Sequence, residues 1–223
     1  MSTHEAIVTG SLDTGEAEIS AMASSLVSKT VLGELKAKRV DRQADGDIRY
    51  WAVDLAESPL LARLESFATE CFRSETHSEP ACSFVMVNLV DSARCPNGSG
   101  GGWHRDSSRR QFKAFMYLTD VERPEQGAFC CIPGSNSRLF WAGSMVYRLL
   151  SSGNRYSDLA IAVLLRLGFR REVILRRAGV PFFLNTSLIH RGLPISEGMR
   201  VMATVYIFED VERMSPEFKT LFQ

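Results

Sequence analysis

The chain has 223 residues, of which 45% are hydrophobic and 23% are charged, as in an ordinary globular protein with a substantial core. Its 26 lysines and arginines balance its 26 aspartates and glutamates, so the net charge predicts neither a nucleic acid nor a membrane as a partner. The first residues lack a basic start and an apolar stretch, and the longest apolar run is too short to cross a bilayer. We therefore expect a single domain over residues 1–223, located in the cytoplasm.

Residues 1–80 are predicted to form a mostly helical N-terminal flank. Apolar residues recur at roughly helical spacing between residues 15 and 37, and Ser58 with Pro59 marks the start of a second helix. The apolar stripe of this second helix runs to Cys71. We interpret both stripes as packing faces that carry no chemistry.

From residue 82 to residue 208 the sequence changes to short, β-rich runs separated by glycine, proline, asparagine or serine. Such runs without alternating helices favour an antiparallel sandwich or barrel, so the predicted fold is mostly β with flanking helices. Residues 139–169 are the exception, because Phe140–Leu150 and Tyr156–Leu167 have helical patterns. This helical insert is a candidate lid, or a flank, at the mouth of a barrel. The β-rich runs are CSFVMVNLV, QFKAFMYLTDV, GAFCCI, REVILRR, VPFFLN and MRVMATVYIF.

The five cysteines form no CxxC pair and no spacing typical of a disulfide framework. Adjacent Cys130 and Cys131 would point to opposite faces of a strand. We therefore predict reduced thiols and no zinc site built from cysteines.

His104 and Asp106 follow a glycine-rich loop and precede a strand-like run. On an extended segment, residues i and i+2 point to the same face, so both side chains can reach one metal ion. Of the other histidines, His4 lies near the N-terminus and His77 lies in a polar loop, which leaves His190 as the third ligand. Two imidazoles and one carboxylate form the facial triad that binds iron(II) and leaves coordination positions open.

Arg200 lies ten positions after His190, at the start of the run RVMATVYIF. A barrel strand here can direct the guanidinium group into the same pocket, where it would hold a carboxylate bidentately. A metal with open positions and a nearby fixed cation would suit a dicarboxylic 2-oxo acid that chelates the iron at one end. A surface salt bridge is the alternative interpretation of Arg200.

These residues and their surroundings resemble the iron(II)/2-oxoglutarate-dependent oxygenases, in particular the phytanoyl-CoA dioxygenase-like family. The resemblance covers about residues 82–208, with residues 139–178 outside it, and rests on the segments WHRD, FMYLTDV, GAFCCIPGSNS and HRGLPISEGMR. It implies a double-stranded β-helix (jelly-roll) core, with iron held by His104, Asp106 and His190. It also implies that Arg200 binds the distal carboxylate of 2-oxoglutarate, and that O2 and 2-oxoglutarate are consumed with release of succinate and CO2.

Two further residues are candidate contacts of 2-oxoglutarate. Lys113 alternates with Phe115 and Tyr117 on the run after the metal motif, and Asn88 is a polar residue inside the preceding apolar run. The alternative interpretation of Lys113 is a residue on a solvated strand face, and that of Asn88 is a core polar residue with satisfied hydrogen bonds. Asp106 also bears on the reaction, because related halogenases have a small residue in place of the carboxylate ligand. Its presence favours hydroxylation over halogenation.

The charge of the residues in and around the insert bears on the chemical class of the substrate. Residues 138–177 contain eight arginines against Asp158 and Glu172 as the acidic residues. This excess is consistent with a small anionic substrate, and a solvated helix surface is the alternative. Without basic and aromatic residues interleaved elsewhere, nucleic acid is not expected as a partner.

Two other functions remain open from the sequence. A cupin-like isomerase or dioxygenase would use the barrel and the metal without 2-oxoglutarate, and it would not need Arg200 as a carboxylate clamp. A non-catalytic binding module would retain the barrel and would tolerate the loss of metal ligands, all three of which are present here.

Overall fold

A computed structural model describes residues 7–12, 14–43, 46–93, 99–137 and 151–222. In this part of the chain, strands of two antiparallel sheets provide the framework, and helices cover one side. The elements in chain order are β1 (Ile7–Thr9), α1 (Glu16–Leu32), β2 (Ala37–Arg42), β3 (Ile48–Val53), α2 (Pro59–Thr76), β4 (Cys82–Asp91), β5 (Phe112–Tyr117), β6 (Phe129–Ile132), β7 (Ser151–Ser152), β8 (Arg155–Tyr156), α3 (Asp158–Arg166), β9 (Glu172–Ile174), β10 (Pro181–Asn185), β11 (Ile189–Gly192), β12 (Met199–Phe208) and α4 (Pro216–Lys219), with short 3-10 turns at Leu55–Glu57, Val211–Arg213 and Thr220–Phe222.

The larger sheet has seven strands in the order β1-β10-β5-β12-β4-β3-β2, and the smaller sheet has the order β11-β6-β9. All pairings within them are antiparallel. Because side chains alternate between the two faces of a strand, β10, β5 and β12 each contribute to two different core clusters.

One face of the larger sheet packs against α1 and α2. Ala114 and Met116 of β5 and Val205 of β12 lie in a core cluster with Leu61 and Leu64 of α2. Ser58 starts α2 by accepting a hydrogen bond from the backbone amide of Leu60, which agrees with the predicted helix start. This layer isolates one face of the sheet from water.

The other face packs against the smaller sheet, as in a jelly roll. Phe115 and Tyr117 of β5 share a core cluster with Phe129 and Cys131 of β6. Cys130, the neighbour of Cys131, lies in a separate cluster, so the two thiols point to opposite faces as predicted. The aromatic side chains of Phe115 and Phe129 between the two sheets also line the cavity that holds the candidate site.

The first predicted helix is shorter than expected, and the N-terminal flank is not entirely helical. The prediction for residues 15–37 is wrong at its end, because α1 stops at Leu32 and Gly33 adopts a left-handed conformation with φ of 77°. Glycine adopts this conformation without strain because it has no Cβ, and a glycine at this position therefore ends the helix. Strands β1, β2 and β3, which were not predicted, join both edges of the larger sheet.

The predicted insert is only partly helical where it is described. Strands β7 and β8 form a small hairpin, and α3 (Asp158–Arg166) matches most of the expected helix Tyr156–Leu167. The expected helix Phe140–Leu150 lies outside the described residues. None of the described helices is both long enough and apolar enough to cross a membrane.

Candidate metal centre

His104 and His190 are brought together by backbone pairing between their two segments. The amide of each residue donates to the carbonyl of the other, with both N–O distances at 2.9 Å. His190 lies on β11, which pairs with β6 in the smaller sheet, so one histidine is fixed by a sheet and the other by the bridge to it.

The three predicted ligands converge on one point. His104 Nε2 lies 3.8 Å from Asp106 Oδ1, and His190 Nε2 lies 3.6 Å from Asp106 Oδ2. All three ligand atoms lie within 4.8 Å of one another, and the described residues contain no second group of this kind. Neighbouring ligands on an ion with bonds of about 2.1 Å are about 3 Å apart, so a small contraction would close this set on one ion.

Backbone carbonyls set the orientation of both imidazole rings. His104 Nδ1 lies 2.9 Å from the carbonyl oxygen of Gly102, and His190 Nδ1 lies 3.0 Å from that of Leu188. When each Nδ1–H donates to its carbonyl, the lone pair is on Nε2, the atom that faces Asp106. The donor set therefore fits a divalent metal.

The electrostatics of the site favour the protonation states that bind a metal. Burial lowers the pKa of His104 and lowers that of His190 to about 4, so both imidazoles are neutral at pH 7. Burial alone would raise the pKa of Asp106, but the positive charge of Lys113 and its hydrogen bond to the carboxylate hold that pKa below its usual value. Two neutral imidazoles and one carboxylate are thus available together.

A cavity of about 400 Å³ opens over these three residues and extends to Arg200. Arg200 is 1% exposed as a residue, which excludes the surface salt bridge considered from the sequence. Its Nη2 donates to Ser99 Oγ at 2.6 Å, and its Nη1 donates to the carbonyl of Gly127. The structure therefore brings Arg200 into the same cavity as the predicted ligands.

Lys113 also lines the cavity, but at a different place from Arg200. Its Nζ lies 2.8 Å from Asp106 Oδ2 and 3.9 Å from the centre of the Tyr206 ring. Lys113 pairs with Tyr206 in the sheet, and Tyr206 lies six residues beyond Arg200 on β12, a separation of about 20 Å between their Cα atoms. Lys113 is therefore a neighbour of the metal ligands and not of Arg200.

Asn88 is buried behind one wall of the cavity. Its Nδ2 donates to Asp47 Oδ1 at 3.3 Å, and Asn88 is not among the described residues that line the cavity. The structure thus brings Asn88 to Asp47 and not to the other predicted site residues.

Several described cavity residues were not predicted from the sequence. Asp47 and Arg49 of the N-terminal flank line the cavity, as does Ser99, the hydrogen-bond partner of Arg200. Thr204 and Tyr206 do so as well, and they could have been found from their alternation with Arg200 along β12. Asp47 and Arg49 had no comparable signal, because β3, which begins directly after Asp47 and holds Arg49, was not recognised.

The arginine-rich region contributes one residue to this cavity among those described. Arg155 lines it, whereas Arg166, Arg170 and Arg171 are exposed elsewhere. Arg138 and Arg148 lie outside the described residues. Most of the described arginines of this region therefore lie on a solvated surface and not in the cavity.

Solved structures with this fold are similar to the chain over most of its length. The non-heme alpha-ketoglutarate-dependent carbocyclase SnoK from nogalamycin biosynthesis is 16% identical, with a TM-score of 0.62 over 95% of this chain and 87% of that one. HygX from Streptomyces hygroscopicus, with nickel and 2-oxoglutarate bound, is 20% identical, with a TM-score of 0.56 over 92% and 83%. A prolyl-4-hydroxylase from Pseudomonas putida is 14% identical, with a TM-score of 0.55 over 92% and 94%.

No protein-family model matches the chain, and no curated protein matches it. The structural likeness, at low identity, concerns the fold. The predicted fold class is thereby confirmed: this chain has the mostly β, jelly-roll architecture of those enzymes, with flanking helices.

Proposed function

We propose that this chain is an iron(II)- and 2-oxoglutarate-dependent dioxygenase that hydroxylates a small anionic organic molecule, with release of succinate and CO2. The observation that carries the proposal is the presence in one cavity of two neutral histidines, a carboxylate and a buried arginine. Solved structures of the same fold support it, since one is named as holding nickel and 2-oxoglutarate and another as holding iron.

Each residue has a distinct role in this proposal. His104, Asp106 and His190 hold the iron, and Arg200 holds the distal carboxylate of 2-oxoglutarate through its fixed guanidinium group. Iron(II) and 2-oxoglutarate together supply the activation of O2 for insertion of an oxygen atom into a C–H bond. We assign Lys113 to the metal-bound end of 2-oxoglutarate, because it lies beside Asp106 and far from Arg200.

The surrounding side chains would keep water from the reacting centre. Phe129 stacks against the His190 ring with centroids 5.2 Å apart, and Phe115 packs against Phe129 at 4.9 Å. Both aromatic residues line the cavity. A dry, preorganised pocket strengthens every electrostatic contact within it.

The finer parts of the proposal rest on the sequence motifs. The segments around His104 and His190 favour the phytanoyl-CoA dioxygenase-like branch, and the carboxylate of Asp106 favours hydroxylation over halogenation. The cysteines that are described, at positions 71, 82, 130 and 131, are unpaired, which is consistent with the predicted cytoplasmic location.

The proposal is tested by measuring succinate formed from 2-oxoglutarate under air with iron(II). We expect slow succinate release without substrate, abolished in His190→Ala and strongly reduced in Arg200→Gln. Arg166→Gln, which removes an exposed arginine outside the cavity, serves as the matched control and should match the unmodified protein. Succinate release that survives in Arg200→Gln would contradict the role of Arg200.

The alternative functions predict different results in the same experiment. A cupin-like enzyme would bind one metal per chain but would release no succinate and would not respond to Arg200→Gln. A non-catalytic binding module would show neither tight metal binding nor any turnover of 2-oxoglutarate.

A further inference from the structure

The cavity has two arginines that the binding of iron and 2-oxoglutarate does not use. Arg49 and Arg155 both line it, together with the metal ligands and Arg200. They come from separate parts of the chain, since Arg49 lies on β3 and Arg155 lies on β8. An arginine at a cavity wall recognises carboxylate and phosphate groups by charge and by hydrogen bonding.

Arg49 is held in place by a buried network. Its Nε and Nη2 both donate to Asp47 Oδ2, at 2.8 and 2.7 Å, and Asn88 Nδ2 donates to Asp47 Oδ1 at 3.3 Å. The Asp47 side chain is 0% exposed and the Arg49 side chain is 25% exposed. Burying a carboxylate is costly unless it is fully bonded, so this network is a stable support for an arginine that reaches solvent at the cavity.

Arg155 is held by the loop that precedes the metal motif. Its Nη1 donates to the carbonyls of Gly100 and Gly101, at 3.0 and 2.8 Å. The backbone of Arg155 forms a bridge with His104, so Arg155 lies next to a metal ligand in the wall of the same cavity. Among the described residues, the acceptors of Arg155 are thus neutral carbonyls and no carboxylate forms an ion pair with it.

The charges that line the cavity do not balance. The described lining residues include four cations and two carboxylates, and both histidines are neutral, which leaves a net charge of about +2. Iron(II) and the 2-oxoglutarate dianion would add equal and opposite charges, so loading the site leaves this excess unchanged. The cations are Arg49, Lys113, Arg155 and Arg200, and the carboxylates are Asp47 and Asp106.

Arg49 is also separate in space from the proposed cosubstrate clamp. In the sheet it pairs with Asn88, which pairs with Met202 on β12, so its strand lies two strands from that of Arg200. Strands are about 4.8 Å apart, which gives a lateral separation of about 10 Å. One carboxylate of 2-oxoglutarate is assigned to the metal and the other to Arg200, so neither remains for Arg49 or Arg155.

We propose that Arg49 and Arg155 form an anion-binding subsite that holds a phosphate or carboxylate group of the substrate at the cavity entrance. This inference rests on the proposed function, because it treats the iron and 2-oxoglutarate positions as filled. Asp47 and Asn88 act through Arg49 and are positioning residues. The subsite selects small molecules in which an anionic group lies at a distance from the C–H bond to be oxidised.

The test uses the protein loaded with nickel(II) and saturating 2-oxoglutarate, which prevents turnover. Calorimetric titration then compares three matched probes at low ionic strength: glycerol, glycerate and glycerol 3-phosphate. We expect both anions to bind at least tenfold more tightly than glycerol, and this preference to weaken in high salt. The order of the two anions distinguishes a carboxylate site from a phosphate site.

Variants locate the binding of the anions. We expect Arg155→Gln, a change at an exposed position, to weaken anion binding at least fivefold. The double variant Asp47→Asn/Arg49→Gln, in which both members of the buried ion pair become neutral, should weaken it by at least the same factor. Arg166→Gln removes the same charge outside the cavity and should change nothing. Equal affinities for all three probes, or an equal loss in Arg166→Gln, would overturn the subsite.

A preceding titration with 2-oxoglutarate separates the two levels of the proposal. If nickel and 2-oxoglutarate fail to load the unmodified protein, the proposed function fails. If they load normally in every variant but the anions show no preference, only the substrate subsite fails. If Arg155→Gln or the double variant prevents loading of 2-oxoglutarate, these arginines belong to the cosubstrate site and the subsite proposal is wrong.

Discussion

The buried Tyr117 hydroxyl on β5 of the larger sheet forms hydrogen bonds to two strands of the smaller sheet, β6 and β9. It donates to the carbonyl of Ile174 at 3.0 Å and accepts from the amide of Phe129 at 2.7 Å. Phe129 in turn stacks against His190. A change at Tyr117 is thus transmitted to a metal ligand through one intervening ring.

We predict that Tyr117→Phe lowers the free energy of unfolding by about 1–3 kcal/mol, because a buried amide and a buried carbonyl lose their partner. Urea unfolding measures this loss. Tyr50→Phe is the matched control, since the Tyr50 hydroxyl donates to the carbonyl of Thr30 on the helical side of the sheet. Iron(II) affinity should fall in Tyr117→Phe and not in Tyr50→Phe, and equal affinities in both would contradict the link to His190.

The buried thiols of β6 make stability depend on alkaline pH. Burial raises the pKa of Cys130 to about 11 and raises that of Cys131 as well, whereas a cysteine in an unfolded chain titrates near about 8.5. Between these values the unfolded chain releases protons that the folded chain retains. Stability is therefore unchanged up to about pH 8 and decreases as the pH rises toward 11.

Urea unfolding at pH 7.5, 9 and 10 tests this dependence. The free energy of unfolding should decrease across the series, and the decrease should be smaller in Cys130→Ala than in the unmodified protein. An identical decrease in both proteins would show that Cys130 does not contribute.

At the scale of elements, the end of β11 has to pass close to the proposed carboxylate clamp. A Cβ on Gly192 would lie 2.8 Å from Ser99 Oγ and 3.3 Å from Arg200 Nη1. The first distance is shorter than real contacts allow, so a side chain here would displace the hydroxyl that orients Arg200.

We predict that Gly192→Ala weakens 2-oxoglutarate binding at least fivefold while it changes iron(II) affinity by less than twofold. Anaerobic titrations with each ligand separate the two effects. Gly153→Ala is a control in the β7–β8 hairpin, because a Cβ there would meet no atom within 4 Å, although its left-handed backbone adds strain. Unchanged 2-oxoglutarate affinity in Gly192→Ala would argue against the clamp.

Elements differ in how well their sequences predict them. Strand β12 was predicted because it is a long run of β-branched and apolar residues, buried on both faces of the sheet. Strand β2 was missed because four of its six residues are charged, and β3 was missed because its apolar residues do not alternate with polar ones. Contacts between the two strands, such as the hydrogen bond from Trp51 Nε1 to Asp41, are not visible in either segment alone. The helix α1 ends because of one residue, Gly33, and the spacing of the apolar residues gives no information about that end.

At the scale of the whole molecule, the metal ligands could be predicted because their chemistry is rare and their spacing is local. His104 and Asp106 are two residues apart, and His190 was left after elimination of two other histidines. Arg49 and Asp47 could not be predicted in this way. They reach the cavity because β3 pairs with β4 in the larger sheet, a contact between segments distant in sequence.

The central claim is that one cavity binds iron through the three ligands and 2-oxoglutarate through Arg200. The most direct test is an anaerobic visible spectrum during titration with iron(II) and then with 2-oxoglutarate, for the unmodified protein, His190→Ala and Arg200→Ala. We predict a charge-transfer band that requires both additions, is lost in His190→Ala and is weakened in Arg200→Ala. Stoichiometric iron binding without such a band would contradict the 2-oxoglutarate assignment and favour a cupin-like enzyme.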